Sequence, residues 1–297
     1  MCDCLVALNH VSATGATLFA KNSDRPPTEI QIIEWCNSLF ADRHPRCTHI
    51  EVDVHAERPY DVWLSRPSWC WGAEHGVNRA GVAIGNETIY TTRDPRRAAP
   101  ALTGLDLVRL GLMWSGTAAA AVSLVCAMLT KYGQGGTAHD PSTGGPKAYW
   151  SSFLIADPVS AYVIETSGND YEIEQVVDVR AISNRTTIPA FDAEHRHPGQ
   201  PVDTLVNPRW HASQQLLDQR PVSVESLQRH LSSHGQTDSG WDVCMHTDHE
   251  CTTASLVAEL PIGAPPNAWM LTGKPCEQPY RRYTFPDVAH DVRGSQR

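Results

Sequence analysis

The chain has no excess of positive charge. Its 297 residues carry 24 Lys and Arg against 33 Asp and Glu, which gives a formal net charge of −9. Proteins that bind nucleic acids or acidic membrane surfaces need surplus positive charge to meet phosphate groups. The charge balance therefore argues against both classes, and we expect neither nucleic acid nor membrane among the partners.

Long uninterrupted hydrophobic runs are also scarce. The strongest candidate is the uncharged stretch 110–129, but Trp114-Ser115-Gly116-Thr117 interrupts it with signals that end one helix and begin another. A membrane span needs about 20 predominantly apolar residues, so two helices packed on a core explain this stretch better. The opening Met1-Cys2-Asp3-Cys4 contains an acid and lacks the basic segment and apolar stretch of a signal peptide.

Cysteine is too sparse for a disulfide scaffold. The chain has nine cysteines, an odd number, and we interpret them as mostly free thiols in a reducing compartment. We therefore expect a cytoplasmic protein. The 41% hydrophobic and 19% charged content is ordinary for a globular protein, which excludes bulk disorder.

The order of the hydrophobic patterns predicts the fold class. Alternation typical of strands runs through the first 90 residues, and apolar residues then recur at helical spacing over 102–112 and 117–132. Strand patterns return in three pieces, of which the last is Tyr171–Val179. The polar, proline-containing segment Pro189–Pro208 is expected to be a long loop.

Two further helices and closing strands follow this loop in the predicted order. Strands and helices do not alternate as βαβ units would, so we expect an α+β fold of antiparallel sheets with helices layered on their faces. The prediction is a single domain over residues 1–285, followed by a disordered tail at 286–297.

Cys2 is the most informative position for chemistry. If Met1 is removed, one residue carries both a thiol and a free α-amine. The reference pKa of the amine is about 7.7–8.0, against about 8.5 for the thiol. The amine can therefore act as general base for its own side chain. Taken alone, a cysteine at this position is usually incidental.

A dense polar cluster about twenty residues later supports the catalytic interpretation. An apolar strand runs into Lys21-Asn22-Ser23-Asp24-Arg25. If strands 4–9 and 16–22 pair as a hairpin, the end of the second returns beside the start of the first. Lys21, Asn22 and Asp24 then lie near the Cys2 amine. The alternative is a polar strand end followed by a turn.

Several long strings of this chain resemble the secernin family, a dipeptidase-like branch of the N-terminal-nucleophile hydrolases. The matching strings are Met1-Cys2-Asp3-Cys4-Leu5-Val6-Ala7-Leu8, Phe19 to Pro26, Glu29-Ile30-Gln31, Ser65 to Gly76, Gly81 to Glu87, Gly104 to Leu112, Tyr132 to Gly136 and Thr252-Thr253-Ala254-Ser255. They follow the family's order over residues 2–273, whereas 189–240 matches poorly.

The resemblance implies a fold and a set of catalytic residues. The fold is an αββα sandwich, two stacked antiparallel sheets between helical layers. Cys2 takes the position of the nucleophile, with Asp24 near its amine. Asn86 takes the position of the oxyanion-hole asparagine, and Asn184 that of a second active-site asparagine. The late arginine of the wider superfamily has no counterpart that we assign.

The implied function is a cysteine-dependent amide or peptide hydrolase, dipeptidase-like, that acts on a small peptide or N-acyl amide. We expect Lys21, Asn22, Arg66 and Trp71 to contact substrate. The superfamily has arginine where this chain has Lys21. Arg66 serves equally well in a salt bridge, and we expect Trp71 in the core or the pocket wall and not on a stacking platform. We expect no metal and no cofactor, and homo-oligomerisation is open.

Two other functions remain as alternatives at this stage. One is a non-enzymatic, secernin-like regulator of secretion. The other is a zinc-binding protein, because Cys244, His246, His249 and Cys251 are all zinc ligand types within eight residues. The usual paired spacing of zinc ligands is absent there, and His246 could line the pocket instead.

Overall fold

The computed structural model describes residues 1–142, 147–235 and 239–286. Its strands, in chain order, are β1 (Cys2–Ala7), β2 (Thr17–Arg25), β3 (Gln31–Cys36), β4 (Val62–Pro67), β5 (His75–Asn78), β6 (Ala83–Ile89), β7 (Trp150–Ala156), β8 (Ala161–Ser167), β9 (Asp170–Gln175), β10 (Val179–Ile182), β11 (Cys251–Leu260), β12 (Asn267–Thr272) and β13 (Arg281–Tyr283). The helices are α1 (Gly104–Trp114), α2 (Ala118–Tyr132), α3 (Pro189–His195), α4 (Val202–Leu205), α5 (Asn207–Asp218) and α6 (Val224–Leu231). The tail predicted at 286–297 lies outside the described residues, except for Pro286.

Within these described ranges the strands form two antiparallel sheets. The first has the order β10-β1-β2-β11-β12-β13, and the second has the order β3-β4-β5-β6-β7-β8-β9. The two sheets pack face to face through apolar side chains such as Val6 and Phe19 on the first and Leu154 and Val163 on the second. The antiparallel α+β prediction is confirmed.

Helices cover the outer face of each sheet. Leu5 and Ala7 alternate with the inward-facing Cys4 and Val6 of β1 and contact a layer that includes α5 and α6. On the other side, α1 and α2 pack on the second sheet around Ile84 and other buried residues. The order of layers is therefore helices, sheet, sheet, helices, as expected for the αββα sandwich.

The two helices α1 and α2 begin at the capping residues that the sequence indicates, and α2 ends at the predicted glycine. Thr103 caps α1 in a reciprocal capping box with Asp106. Thr117 caps α2, which ends at Gly133 with a φ of 73°, a conformation that favours glycine. Among the described residues, none of the helices combines the length and the apolar content that crossing a bilayer requires.

The predicted hairpin at the start of the chain is present, but its first strand is residues 2–7 and not 4–9, and its second strand extends to Arg25. β1 and β2 pair antiparallel from Ala7 opposite Leu18 to Cys2 opposite Ser23. The end of β2 therefore lies beside the first residues of the chain. This register brings the predicted nucleophile to the polar cluster of β2.

Two sequence-level assignments are wrong. Pro189–Pro208 is not one long loop, because α3 and α4 form within it; Pro189 occupies the first turn of α3, where its missing N–H is not needed. Tyr171–Val179 is not one strand: β9 ends at Gln175 and pairs in the second sheet, whereas β10 begins at Val179 and pairs in the first.

Gly85 sets how closely the two sheets approach beneath the hairpin. A Cβ atom at this position of β6 would lie 2.5 Å from Cδ of Lys21 and 2.8 Å from Sγ of Cys4. Both neighbours belong to the opposite sheet and are completely buried. Only glycine leaves room for the Lys21 side chain to cross between the sheets.

We expect Gly85→Ala to lower the free energy of unfolding by about 1–3 kcal/mol, because over-packing a filled core forces side chains and backbone to shift. Urea unfolding followed by circular dichroism measures this change. Gly199→Ala is the matched control, since its Cβ would meet only the His197 ring. Equal stability of the two variants would contradict the close-approach argument.

Candidate active site

Cys2 lies at the first position of β1 and is 5% exposed. It lines a small cavity of about 20 Å³, which is enough for one water molecule. The cavity is also lined by Met1, Asp24, Arg25, Glu74, Asn86, Thr88, Tyr90, His139, Tyr149 and Glu250. A larger cleft of about 500 Å³ shares Tyr90, His139, Tyr149 and Glu250 with it. The shared residues place the cavity at the inner end of this cleft.

The first two residues are held by backbone and side-chain hydrogen bonds. The Met1 amine donates to the Asp24 carbonyl oxygen at 3.1 Å, and the Asp24 N–H donates to the Met1 carbonyl oxygen at 2.8 Å. The Cys2 N–H donates to Oδ1 of Asn184 at 2.8 Å. The nitrogen that becomes the α-amine when Met1 is removed therefore already has a side-chain acceptor.

Glu250 is the carboxylate partner of the chain start. It forms an ion pair with the Met1 amine and is mostly buried. Burial opposes ionisation of Glu250, but the Met1 ammonium more than offsets it and holds the pKa of Glu250 below its usual value. Since Glu250 lines both the cavity and the cleft, its carboxylate faces the space that substrate would enter.

Arg209 of α5 forms hydrogen bonds and ion pairs with several residues around the start of the chain. Its guanidinium donates to Asp3 at 2.5 Å and to Oδ1 of Asn184 at 2.9 Å, and it lies 3.8 Å from the Asp24 carboxylate. It also donates to the Cys2 carbonyl oxygen at 3.4 Å. Arg209 is 2% exposed, so this charge network is shielded from solvent.

Asp24 is held by the strand on its other side. β11 has a bulge at Thr253 in its pairing with β2, and such bulges re-aim neighbouring side chains. The hydroxyl of Thr252 donates to Oδ1 of Asp24 at 2.7 Å. Burial raises the pKa of Asp24 to about 7, against the opposing effects of the N-terminal ammonium and Arg209.

The surroundings of the thiol oppose its ionisation in this form of the chain. Burial raises the pKa of Cys2 to about 12, while the nearby Lys21 ammonium acts in the opposite direction. Nζ of Lys21 donates to the Asn86 carbonyl oxygen at 2.7 Å and lies 3.6 Å from Glu87. Burial also raises the pKa of Glu87, to about 8. A base close to the sulfur is therefore needed to form the thiolate near neutral pH.

Asn86 and Asp24 are the two predicted catalytic residues that have a buried side-chain oxygen without a hydrogen-bond partner in the described part of the chain. Asn86 is 2% exposed, the unpaired atom is its Oδ1, and the residue lines the cavity together with Cys2. Its backbone accepts from Lys21 and donates to Glu74 at 3.3 Å, which orients β6 at this point. The Nδ2 group of a carboxamide beside the thiol can donate a hydrogen bond to an oxyanion, whereas the unpaired Oδ1 is an acceptor and cannot.

The four residues predicted to contact substrate have internal partners instead. Lys21 is completely buried, and the Asn22 amide donates to the carbonyl oxygens of Leu231 and Val243. Arg66 forms a salt bridge with Glu34, and Trp71 packs under the guanidinium of Arg109.

None of the four lines the cavity or the cleft in the described part of the chain. The four assignments stay predictions, and the residues that line the cavity and the cleft are the ones placed to meet a bound molecule.

Three residues at the site carry no local sequence signal that identified them. Arg209 lies in the segment that matches the secernin strings poorly, and α5 brings it to the site only through helix-on-sheet packing. Glu250 belongs to the stretch interpreted as a zinc motif. Tyr149 is buried at the junction of cavity and cleft, and only the ordering of strands in the second sheet reveals it.

Several solved structures share this fold at low sequence identity. A mutant of the conjugated bile acid hydrolase from Clostridium perfringens matches with a TM-score of 0.56 at 12% identity, covering 98% of this chain and 100% of that chain. Penicillin V acylase from Agrobacterium tumefaciens matches with a TM-score of 0.51 at 14% identity, covering 91% and 86%.

A Caenorhabditis elegans N-acylethanolamine-hydrolyzing acid amidase ortholog matches with a TM-score of 0.50 at 13% identity, covering 86% and 91%. No family model matches the sequence, so the secernin assignment stays a prediction.

We expect Arg209→Met to lower the free energy of unfolding by about 3–5 kcal/mol, because it leaves buried carboxylates without their cation. Urea denaturation measures the loss, and adding Asp3→Asn should recover part of it. Arg220→Met is the control: Arg220 pairs with Asp178 at the surface, with about two-fifths of each side chain exposed, and we expect a change below about 1 kcal/mol. Equal losses for Arg209→Met and Arg220→Met would refute the buried network.

Proposed function

We propose that this chain is a cysteine amidohydrolase that cleaves small peptides or N-acyl amides with Cys2, which becomes the N-terminal residue when Met1 is removed. The observation that carries the proposal is the position of Cys2. Its thiol lines a cavity with Asn86, and its backbone nitrogen already donates to Asn184 at 2.8 Å. The three solved proteins compared above are named as a hydrolase, an acylase and an amidase, which supports amide cleavage.

The proposed reaction begins when the Cys2 sulfur attacks the amide carbon and its proton passes to the Cys2 α-amine. The Asn86 carboxamide stabilises the oxyanion of the tetrahedral intermediate. The carbon–nitrogen bond then breaks, and the α-amine returns the proton to the leaving amine. Water attacks the resulting thioester, and this step releases the carboxylic acid and restores the thiol.

The electrostatics explain why the α-amine is needed. With Met1 in place, the nitrogen of Cys2 is an amide and cannot accept a proton, while burial holds the thiol pKa at about 12. Removing Met1 converts this nitrogen into an amine on the same residue as the thiol. Nitrogen and sulfur are then close enough to share the proton directly.

We expect the active protein to lack Met1 and Cys2→Ala to reduce kcat/KM by at least about 10³-fold, because the nucleophile is lost. Intact-mass measurement reports the processing, and a panel of dipeptides and N-acyl amino acids reports turnover. Cys4→Ser is the matched control, since Cys4 lies on the same strand but does not line the cavity.

Full activity of protein that retains Met1 would contradict the mechanism. Turnover by Cys2→Ala equal to that of the unmodified protein would remove the nucleophile assignment. Absence of turnover by correctly processed protein on the whole panel would favour the non-enzymatic regulator instead.

Within this function we favour dipeptides that carry a free α-amine. The Met1 amine shows how the site holds a cation: Glu250 forms the ion pair, and the Asp24 carbonyl oxygen accepts at 3.1 Å. When Met1 leaves, both acceptors face the cavity, and a substrate ammonium satisfies the same two groups. An N-acylated substrate has no charge to place there.

We expect Glu250→Gln to raise the KM for free-amine dipeptides roughly 10- to 100-fold, because a hydrogen bond to a charged group is lost. The KM for the same dipeptides with an acetylated amine should change little. Steady-state kinetics on matched pairs of substrates measure both values, after mass spectrometry has verified Met1 removal in the variant. A parallel rise for both substrates would refute amine recognition by Glu250.

A further inference from the structure

Four zinc-type ligands converge away from the catalytic cavity. His234 follows α6, Cys244 and His246 lie in the segment before β11, and Cys276 follows β12. One ligand atom of each lies within 4.8 Å of the corresponding atom of every other. The residues come from three separate segments, so this convergence is a product of the fold and not of local spacing.

Four of the six distances between these atoms are close to the edges of a zinc tetrahedron, and all six lie within 4.8 Å. Sγ of Cys244 lies 3.5 Å from Sγ of Cys276 and 3.5 Å from Nε2 of His246. Nε2 of His246 lies 3.1 Å from Sγ of Cys276 and 3.2 Å from Nε2 of His234. Zinc–sulfur bonds of about 2.3 Å and zinc–nitrogen bonds of about 2.0–2.1 Å give tetrahedral edges of roughly 3.3–3.8 Å.

The cluster differs from the set that sequence spacing suggested. Cys244 and His246 belong to both sets, but His249 is exposed and outside the cluster. Cys251 is the first residue of β11, where it pairs with Arg25 of β2. His234 and Cys276 supply the remaining ligand atoms.

Hydrogen bonds hold the three contributing segments together around the cluster. The Cys244 N–H donates to the Ser233 carbonyl oxygen at 3.0 Å, and the Ser232 hydroxyl donates to the Pro275 carbonyl oxygen at 3.1 Å. Glu277 lies 4.0 Å from Nδ1 of His246, on the far side of the ring from the cluster. A carboxylate on that side is the usual means of orienting a metal-bound histidine.

We propose that His234, Cys244, His246 and Cys276 bind one Zn²⁺ in a closed, structural site. Binding releases the two thiol protons, and the charges of two thiolates balance that of the metal. Four protein ligands leave no open position for substrate, which distinguishes a structural zinc site from a catalytic one. Thiolate sulfur with imidazole nitrogen favours zinc over magnesium or calcium.

The structural consequence is control of the segment that carries Glu250 and Thr252. Met245 and Thr252 are joined by two hydrogen bonds, from the Met245 N–H to the Thr252 hydroxyl at 2.9 Å and from the Thr252 N–H to the Met245 carbonyl oxygen at 3.1 Å. The segment 244–252 thus forms a turn with two arms. Cys244 and His246 on the first arm, once bound to metal, would hold Glu250 and Thr252 on the second arm against the active site.

Metal analysis of full-length protein, purified under reducing conditions without chelator, tests the proposal. We expect about one zinc per chain, and a fall in melting temperature when the metal is removed and reversed by added Zn²⁺. Cys244→Ser and Cys276→Ser should each lose the zinc. Cys276 is exposed, so its variant tests the site with the smallest risk to folding, which circular dichroism verifies.

His249→Ala and Cys251→Ser are the matched controls and should retain about one zinc. Replacement by Co²⁺ should give thiolate-to-cobalt charge-transfer absorption in the unmodified protein and in both controls, but not in Cys276→Ser. No zinc in the unmodified protein after dialysis against Zn²⁺ would overturn the proposal. If the controls lost as much zinc as Cys276→Ser, the proposal would also be overturned. The same holds if protein purified under reducing conditions contained a Cys244–Cys276 disulfide.

Discussion

The buried guanidinium of Arg209 fixes the position of the first residues of the chain in the fold. It lies between the carboxylates of Asp3 and Asp24 and also donates to Asn184. The two carboxylates stabilise the buried guanidinium. Leaving either carboxylate in the core without this cation would strongly destabilise the fold. β1 therefore cannot slide along β2 without separating these charges, and the Cys2–Ser23 register follows.

This constraint explains how the end of a strand can be both buried and held in one position. Terminal residues are usually poorly ordered, yet here Asn184 accepts from the Cys2 N–H and donates to Thr88 of the second sheet at 3.0 Å. Asn184 thus joins the two sheets at the sulfur. Opposite it, Gly85 leaves the space through which Lys21 reaches the carbonyl oxygen of Asn86. The two contacts fix the thiol relative to the carboxamide that faces it.

The sequence predicts those parts of the structure that depend on local pattern. Alternating polar and apolar residues, helical spacing and capping residues predict the β1–β2 hairpin and the α1–α2 pair. The resemblance to the secernin family predicts the layered arrangement. Cys2, Asp24 and Asn86 meet at one cavity because each lies at a strand position whose pairing is set by these elements.

The remaining features depend on contacts that are distant in sequence. Arg209 contacts Asp3 across 206 positions of the chain, and nothing in the helix around it indicates that partner. The segment 171–179 is divided between two sheets because β9 pairs at the edge of the second sheet and β10 at the edge of the first. The alternation of polar and apolar residues does not show this division. Nearness in the sequence also grouped His249 and Cys251 with Cys244 and His246 as candidate zinc ligands, because it cannot show that the loop after β12 returns with Cys276.

The segment between Cys244 and Thr252 connects the two sites without mixing their chemistry. The proposed zinc ligands lie on its first arm, whereas Glu250 and Thr252 on its second arm contact the chain start and Asp24. In the proposed mechanism, proton transfer at Cys2 needs no metal, since thiol and amine belong to one residue. The proposed zinc would act on that reaction only through the positions of Glu250 and Thr252. A chelator that slows turnover would therefore be consistent with the proposed metal-independent mechanism, because the proposed zinc holds the segment around Cys2 and does not contact its sulfur.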